Sequence, residues 1–177
     1  NRRVIAVVPA YNERDNIVST IEDLRSNAPG VDYVIVNDGS KDDTLSICRE
    51  HGYNVIDLPV NLGLAGAFQT GMRYAYKHGY DYAIQFDADG QHSAAYIYEM
   101  IRVAETQDAN IVIGSRFATQ KKPLSARMAG SVLISAMILL TTRQRIQDPT
   151  SGMRLFDRKM IPLFANEMDF GPEPDTI

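Results

Sequence analysis

Cysteine is nearly absent from this sequence, and basic residues are not in excess. Cys48 is the only cysteine among 177 residues, so no disulfide can form within the chain and a reducing compartment is expected. The 18 lysines and arginines face 22 aspartates and glutamates, a net charge of −4 that gives no electrostatic reason to expect nucleic-acid binding. No apolar run is long enough to cross a bilayer, and no signal peptide is recognisable.

Two common nucleotide-binding motifs are also missing. The pattern G-x-x-x-x-G-K-[ST] does not occur, which argues against a P-loop, and the pattern G-x-G-x-x-G does not occur, which argues against a dinucleotide site. The length and the 45% hydrophobic share suit one ordinary domain. The chain begins with Asn1 rather than Met and stops at Ile177, just after a charged motif, so we expect a piece of a longer protein. We expect residues 1–177 to be a single catalytic domain that is truncated at its C-terminus.

Apolar runs that are typical of strands alternate with amphipathic stretches that are typical of helices. We expect a helix from Ile17, capped by Asn12 or Asp15, and a later helix that buries Phe68, Met72, Ala75 and Tyr76. Strand-like runs cover Val4–Val8, Tyr33–Val36, Asn54–Leu58, Tyr82–Phe86 and Ala109–Ser115. This alternation predicts an α/β protein, with a mostly parallel sheet covered by helices on both faces.

The last third of the sequence has a different character. Met128–Leu140 is almost wholly apolar, which indicates either a core helix or a helix that lies on a membrane interface. Asp148–Arg154 is then expected to be a polar turn, followed by a short helix near Asp157–Leu163.

A pair of carboxylates follows the predicted fourth strand. Asp87 and Asp89 are separated by one residue, Gly90 allows a sharp turn, and Gln91 adds a carbonyl oxygen. The carboxyl ends of strands are where open α/β sheets bind ligands. These hard oxygen ligands suit Mg²⁺ or Mn²⁺, ions that usually complete their shells with water and substrate phosphates.

Two further polar loops are expected at the same edge of the sheet. Pro9–Glu13 follows the first strand and supplies the ring of Tyr11, while Asn37–Ser40 follows the second strand and supplies the carboxylate of Asp38. A ring that can stack, a carboxylate that can accept from a base N–H and a metal site for phosphate together describe a nucleotide pocket.

In order along the chain, these motifs resemble those of glycosyltransferase family 2, whose fold is the Rossmann-like, three-layer α/β/α fold called GT-A. Within the family they are most similar to the polyprenyl-phosphate sugar transferases of the dolichyl-phosphate mannose synthase type. The motifs are Val7–Glu13, Val36–Ser40 with Asp43 and Thr44, Asn61–Gly63, Asp87–Gln91, Gly114–Arg116 and Asp148–Arg154.

The resemblance implies roles for individual residues. Residues 1–116 would bind the nucleotide sugar, and residues 117–177 would form the acceptor side. The nucleoside would be held by Pro9, Tyr11, Glu13 and Asp38. Asp87 would touch the ribose, sugar or diphosphate, and Asp87, Asp89 and Gln91 would hold the metal ion with the diphosphate.

On the acceptor side the resemblance leaves alternatives open. Arg116 would bind the acceptor or leaving phosphate, or else form an exposed salt bridge. Arg127 and Ser131, one helical turn apart, would meet a lipid phosphate, or else only serve packing. Glu173 is expected to be a pocket residue, and whether it or Asp175 acts as a base is left open.

The resemblance therefore implies a metal-dependent, inverting transferase that moves a sugar from a UDP- or GDP-sugar to a polyprenyl phosphate at the cytoplasmic face of a membrane. Transfer to a sugar hydroxyl, or a nucleotide-sugar-binding module without catalysis, are the alternatives. Two positions depart from the common pattern: Asn37 stands where many relatives have a second aspartate, and Met153 replaces an aromatic residue.

Overall fold

Strands and helices alternate in the computed structural model, which describes residues 2–89, 93–114 and 153–166. The described strands are β1 Val4–Ala10, β2 Asp32–Asn37, β3 Val55–Asp57, β4 Tyr82–Gln85, β5 Ile111–Ile113 and β6 Arg154–Asp157. The described helices are α1 Ile17–Asn27, α2 Thr44–Glu50, α3 Gly63–Lys77, α4 Ile97–Thr106, preceded by a 3₁₀ turn at Ala94–Tyr96, and α5 Met160–Asn166.

The six strands form one sheet in the order β3-β2-β1-β4-β6-β5. β1 is central and pairs in parallel with β2 and β4, and β3 extends the parallel part beyond β2. β6 is antiparallel to both of its neighbours, β4 and β5. The prediction of a mostly parallel α/β sheet is therefore confirmed.

Alternating side chains of β1 enter two separate cores, one on each face of the sheet. All seven residues of β1 are buried, as expected for a strand that is covered on both faces. Ala6 and Val8 belong to the cluster that contains residues of α1 and α4, whereas Ile5 and Val7 belong to the cluster that contains residues of α3 and α5. This two-sided burial fixes the register, because a slip of one residue would exchange the two faces.

Three predictions about local structure were wrong. Asn16, and not Asn12 or Asp15, is the residue before the first turn of α1, and its side chain makes no capping bond. Tyr76 was expected on the buried face of α3 but is 55% exposed. Arg154 was expected in a turn but begins β6, so the short helix after it starts only at Met160.

Within the described ranges, none of the helices combines the length and the apolar character needed to cross a membrane. The apolar stretch 128–140 lies outside the described residues.

Candidate active site

A pocket of about 350 Å³ opens where the chain leaves β1, β2 and β4. Parallel strands bring their carboxyl ends to one edge of the sheet, and the loops that follow these three strands meet there. Six of the predicted site residues line it, namely Pro9, Tyr11, Glu13, Asp38, Asp87 and Asp89. Gln91, Arg116, Arg127, Ser131, Glu173 and Asp175 lie outside the described residues.

The loops that follow β1 and β2 are joined by direct hydrogen bonds. Asn12 is central to this contact, since its backbone has a φ of 57°, in the left-handed region that asparagine tolerates better than most residues. The bonds are Asn12 N to Ser40 Oγ at 3.0 Å, Lys41 N to Asn12 Oδ1 at 2.8 Å, Glu13 N to Thr44 Oγ1 at 2.9 Å and Arg14 N to Asp42 Oδ2 at 3.2 Å. The two loops therefore form one preorganised wall of the pocket.

Asp42 receives several of the donors in this wall. Partial desolvation acts to raise the pKa of Asp42, but the hydroxyl and backbone N–H of Thr44 and the backbone N–H of Arg14 donate to the carboxylate and hold its pKa below the ordinary value. Asp42 is thus an ionised structural acceptor, and it is not among the residues that line the pocket.

Glu13 is held by the start of α1. The side-chain amide of Asn16 donates to Glu13 Oε2 at 3.0 Å, and the backbone carbonyl of Glu13 accepts from the N–H groups of Asn16 and Ile17.

Tyr11, in contrast, is 42% exposed at the pocket, so its ring is accessible to a flat ligand.

Asp38 is the buried carboxylate of the pocket, with only 3% of its surface exposed. Its backbone N–H donates to the carbonyl of Ala10 at 2.9 Å, and its Oδ1 accepts from the backbone N–H of Leu62 at 2.7 Å. The second bond draws the start of α3 toward β2. As a result, four residues that sequence reasoning did not assign to the pocket also line it: Asn61, Gly63, Leu64 and Ala67.

Asp87 and Asp89 supply the acidic wall of the pocket. Gln85, at the end of β4 and 3% exposed, donates from Nε2 to Asp87 Oδ1 at 3.2 Å. Among the described residues, no group of three His, Cys, Asp or Glu side chains could hold a metal ion. Two carboxylates at an open pocket nevertheless fit Mg²⁺ or Mn²⁺, because such ions are commonly bound by one or two carboxylates together with substrate phosphates.

The two departures from the common motif pattern lie away from the pocket lining. Asn37 is 1% exposed, and its amide donates to Asp57 Oδ1 at 2.8 Å. Met153 is 3% exposed and belongs to the core cluster that contains residues of α1 and α4. Neither residue is among those that line the described pocket.

Comparisons with known proteins show which family this sequence matches. A family model described as Glycosyl transferase family 2 matches residues 5–163. The UDP-N-acetylglucosamine–dolichyl-phosphate N-acetylglucosaminyltransferase of Methanococcus voltae is 29% identical over 95% of this chain and 74% of its own length. The undecaprenyl-phosphate mannosyltransferase of Micrococcus luteus is 31% identical over 87% of this chain and 66% of its own length.

Solved structures support the fold. Glucosyl-3-phosphoglycerate synthase from Mycobacterium tuberculosis superimposes with a TM-score of 0.71 at 18% sequence identity, covering 90% of this chain and 58% of that protein. The chain thus spans about two thirds to three quarters of the two relatives, and little more than half of this solved protein.

Proposed function

The chain belongs to glycosyl transferase family 2 and is a glycosyltransferase, and we propose that it moves a sugar from a nucleotide-diphosphate sugar to a polyprenyl phosphate. Family membership favours an enzyme over the non-catalytic binding module that the sequence left open. The observation that carries the proposal is a pocket that is lined both by the loops after β1 and β2 and by the acidic segment Asp87–Asp89, which follows β4.

The part of the pocket formed by Tyr11, Glu13 and Asp38 is our candidate for the nucleoside site. The exposed ring of Tyr11 can stack on a base, and Asp38 can accept from a base N–H. The pair of Tyr11 and Asp38 at one pocket suits a small pyrimidine such as uracil, so we propose a UDP-sugar donor, with a GDP-sugar as the alternative.

Asp87 and Asp89 would hold Mg²⁺ or Mn²⁺ together with the diphosphate, and Gln91 would complete the protein ligands. The bound ion would supply Lewis-acid chemistry, since it offsets the negative charge that builds on the departing nucleoside diphosphate. Gln85 fits this arrangement, because its N–H donates to Asp87 Oδ1 and helps to orient the carboxylate. The solved relative is described in complex with Mn²⁺ and UDP-glucose, which is consistent with this proposal at the level of the fold.

A polyprenyl phosphate is the acceptor we propose. The names of several relatives that match most of this chain specify dolichyl, undecaprenyl or polyprenol acceptors. A phosphate acceptor is already ionised, so it needs no general base for in-line attack with inversion. Arg116, Arg127 and Ser131 are our candidates for the residues that meet the acceptor phosphate, and the reaction would take place at the cytoplasmic face of a membrane.

Transfer to a sugar hydroxyl is the second candidate function. A poly-beta-1,6-N-acetyl-D-glucosamine synthase of Staphylococcus epidermidis is 34% identical to this chain, although over only 47% of it. A hydroxyl acceptor needs a base, and Glu173 or Asp175 would be the candidate. The smaller shared portion makes this the weaker of the two proposals.

Binding of UDP and GDP, each with and without Mn²⁺, tests the donor site by isothermal titration calorimetry. We expect UDP to bind in a Mn²⁺-dependent manner and Asp89→Ala to remove the Mn²⁺ dependence while the domain stays folded. Asp15→Ala is the matched control, because Asp15 is an exposed carboxylate that is not among the pocket-lining residues. Unchanged Mn²⁺-dependent affinity in Asp89→Ala would contradict the assignment of the acidic segment.

The acceptor is tested by transfer from radiolabelled UDP-sugars to undecaprenyl phosphate, with an oligosaccharide as the competing acceptor. Labelled lipid is expected, and labelled oligosaccharide alone would favour the second candidate function.

A further inference from the structure

One carboxylate outside the pocket accepts a hydrogen bond from the backbone shortly after the acidic segment. Asp23, in the middle of α1, accepts from the backbone N–H of Ala94 through Oδ2 at 2.7 Å. Its other oxygen, Oδ1, accepts from the side chain of Asn27 at 2.6 Å. Ala94 is fully buried and only four residues separate it from Asp89, so its position limits where the acidic segment can lie.

The contact between Asp23 and Ala94 replaces a missing intrahelical bond. Ala94 begins the 3₁₀ turn that leads into α4, and the first N–H groups of a helical segment have no partner within it. A carboxylate at that position also interacts favourably with the partial positive charge of the helix start. Ser93 satisfies the next N–H, that of Ala95, at 3.3 Å. The position of Ala94 is therefore fixed by an electrostatic contact as well as by packing.

Other contacts on α1 and β4 reach the acidic segment itself. Thr20, which precedes Asp23 by three residues on α1, is 4% exposed and has its hydroxyl 3.4 Å from the carbonyl of Ala88. The same hydroxyl lies 2.9 Å from the carbonyl of Asn16, and since it carries one proton the shorter bond dominates. Gln85, on β4, donates to Asp87 Oδ1. Asp23 thus makes a charge-assisted hydrogen bond from α1 to the region that follows Asp89.

We propose that Asp23 is a positioning residue of the metal site: through Ala94 it holds the acidic segment in the geometry that binds Mg²⁺ or Mn²⁺. This inference rests on the proposed function of Asp87 and Asp89. Asp23 is not among the residues that line the described pocket, and both of its carboxylate oxygens accept hydrogen bonds, so its proposed action runs through the backbone N–H of Ala94. Loss of a group that hydrogen-bonds to a metal ligand typically lowers metal affinity by about 10- to 100-fold, and we expect an effect at the lower end of this range for support that acts through Ala94.

The test compares Mn²⁺ binding by wild type, Asp23→Ala and Asp23→Asn in the presence of saturating UDP, and UDP binding in the absence of metal. We expect Asp23→Ala to weaken Mn²⁺ binding by about tenfold or more while metal-free UDP affinity is unchanged. Asp23→Asn keeps an acceptor oxygen for Ala94 and should lose less, although a neutral amide is a weaker acceptor than a carboxylate.

Glu22→Ala is the matched control. Glu22 is the neighbouring carboxylate on α1, it is exposed, and it pairs with Arg25 at 3.4 Å rather than with the returning chain. The control removes the same charge from the same helix, and it should bind Mn²⁺ as wild type does.

The possible failures are distinguishable. If wild type binds no Mn²⁺ with UDP, both the proposed function and this inference are overturned. If wild type binds Mn²⁺ and folded Asp23→Ala binds it equally well, only the inference is overturned. Should Asp23→Ala fail to fold, Asp23→Asn is read in its place, and wild-type Mn²⁺ affinity in that variant overturns the inference.

Discussion

At the scale of single residues, Asp38 is the most buried carboxylate among the residues that line the pocket. It is 3% exposed, and its Oδ1 accepts from the backbone N–H of Leu62. Burial strengthens each hydrogen bond that the carboxylate makes and raises the cost of leaving a donor unmatched. The discrimination of the base is therefore expected to depend strongly on this side chain.

Asp38→Asn tests that expectation. Asparagine can still accept from Leu62 through its oxygen, but its NH₂ group cannot accept from a base. We expect UDP to bind about tenfold more weakly, measured by calorimetry, with the melting temperature recorded in parallel.

Asp43→Asn is the matched control for this change. Asp43 is an exposed aspartate five residues further on, and its side chain makes no capping bond to α2. The control should bind UDP as wild type does. Wild-type affinity in Asp38→Asn itself would contradict the role of Asp38 in base recognition.

Tyr11, Asp38, Asp87 and Asp89 could be predicted because each one follows a recognisable strand, and Pro9 and Glu13 could be predicted from the family resemblance. The carboxyl ends of parallel strands lie together whatever the intervening helices contain. Asn61, Gly63, Leu64 and Ala67 could not be assigned in this way. Their place depends on the bond between Leu62 and Asp38, a contact across 24 positions. The motif Asn61–Gly63 marked this stretch through the family resemblance, but it did not place the stretch at the pocket.

At the scale of elements, the entry to α3 is packed tightly against the turn after β2. Gly39, the residue after Asp38, has a φ of +65°. A Cβ atom at this position would lie 2.8 Å from the backbone nitrogen of Asn61 and 2.9 Å from the backbone carbon of Val60. Neither backbone atom can move away as a flexible side chain could, so the close approach of the two elements requires glycine.

Gly39→Ala is therefore expected to destabilise the protein by more than its backbone conformation alone would cost. Gly52→Ala is a matched control, because Gly52 has nearly the same φ, +64°, and nothing lies within 4 Å of the added Cβ. The left-handed conformation costs alanine about 1–2 kcal/mol at either site. The clash should add about 1–3 kcal/mol at Gly39 alone, measured by urea unfolding. Equal losses at the two sites would show that the elements can separate without cost.

Predictions at this scale succeeded where the chain gives a long periodic signal and failed where it is short. The long apolar runs of β1 and β2 were recognised, and α1 and α3 were expected close to where they occur. β6 was missed, because only Leu155 and Phe156 are apolar between Arg154 and Asp157. Its strand character depends on antiparallel pairing with β4, some 70 residues earlier, which matches Arg154 with Gln85.

At the scale of the whole molecule, the two edges of the sheet at which the parallel strands end and begin have different roles. The carboxyl edge carries the pocket, whereas the amino edge is held together by contacts between the first residue of β2 and residues that precede β1 and β4. Tyr80 donates from its hydroxyl to Asp32 Oδ2 at 2.8 Å, and the guanidinium of Arg3 lies 4.4 Å from the centre of the Tyr80 ring. The backbone N–H of Arg3 donates to Asp81 Oδ2 at 2.9 Å.

Because Tyr80 can ionise, the stability that these contacts contribute depends on pH. Burial, followed by the hydrogen bond to Asp32 and the charge of Asp32, raises the pKa of Tyr80 from 10.0 to about 12. The folded pKa lies above the unfolded one, so the contribution of Tyr80 to stability is complete below pH 10 and is lost as the pH rises toward 12.

Tyr80→Phe separates this effect from the other groups that titrate in alkali. Below pH 10 the stability difference between wild type and Tyr80→Phe should be constant, and above pH 10 it should shift against wild type, because only wild type loses the stabilisation that comes from Tyr80. Urea unfolding of both proteins from about pH 8 to about pH 11 measures the difference. Parallel stability curves over the whole range would mean that Tyr80 has the same pKa in the folded and unfolded states.

Since the pocket lies at the opposite edge, UDP affinity below pH 10 should be the same in both proteins, and a lower affinity in Tyr80→Phe would show that the two edges are coupled.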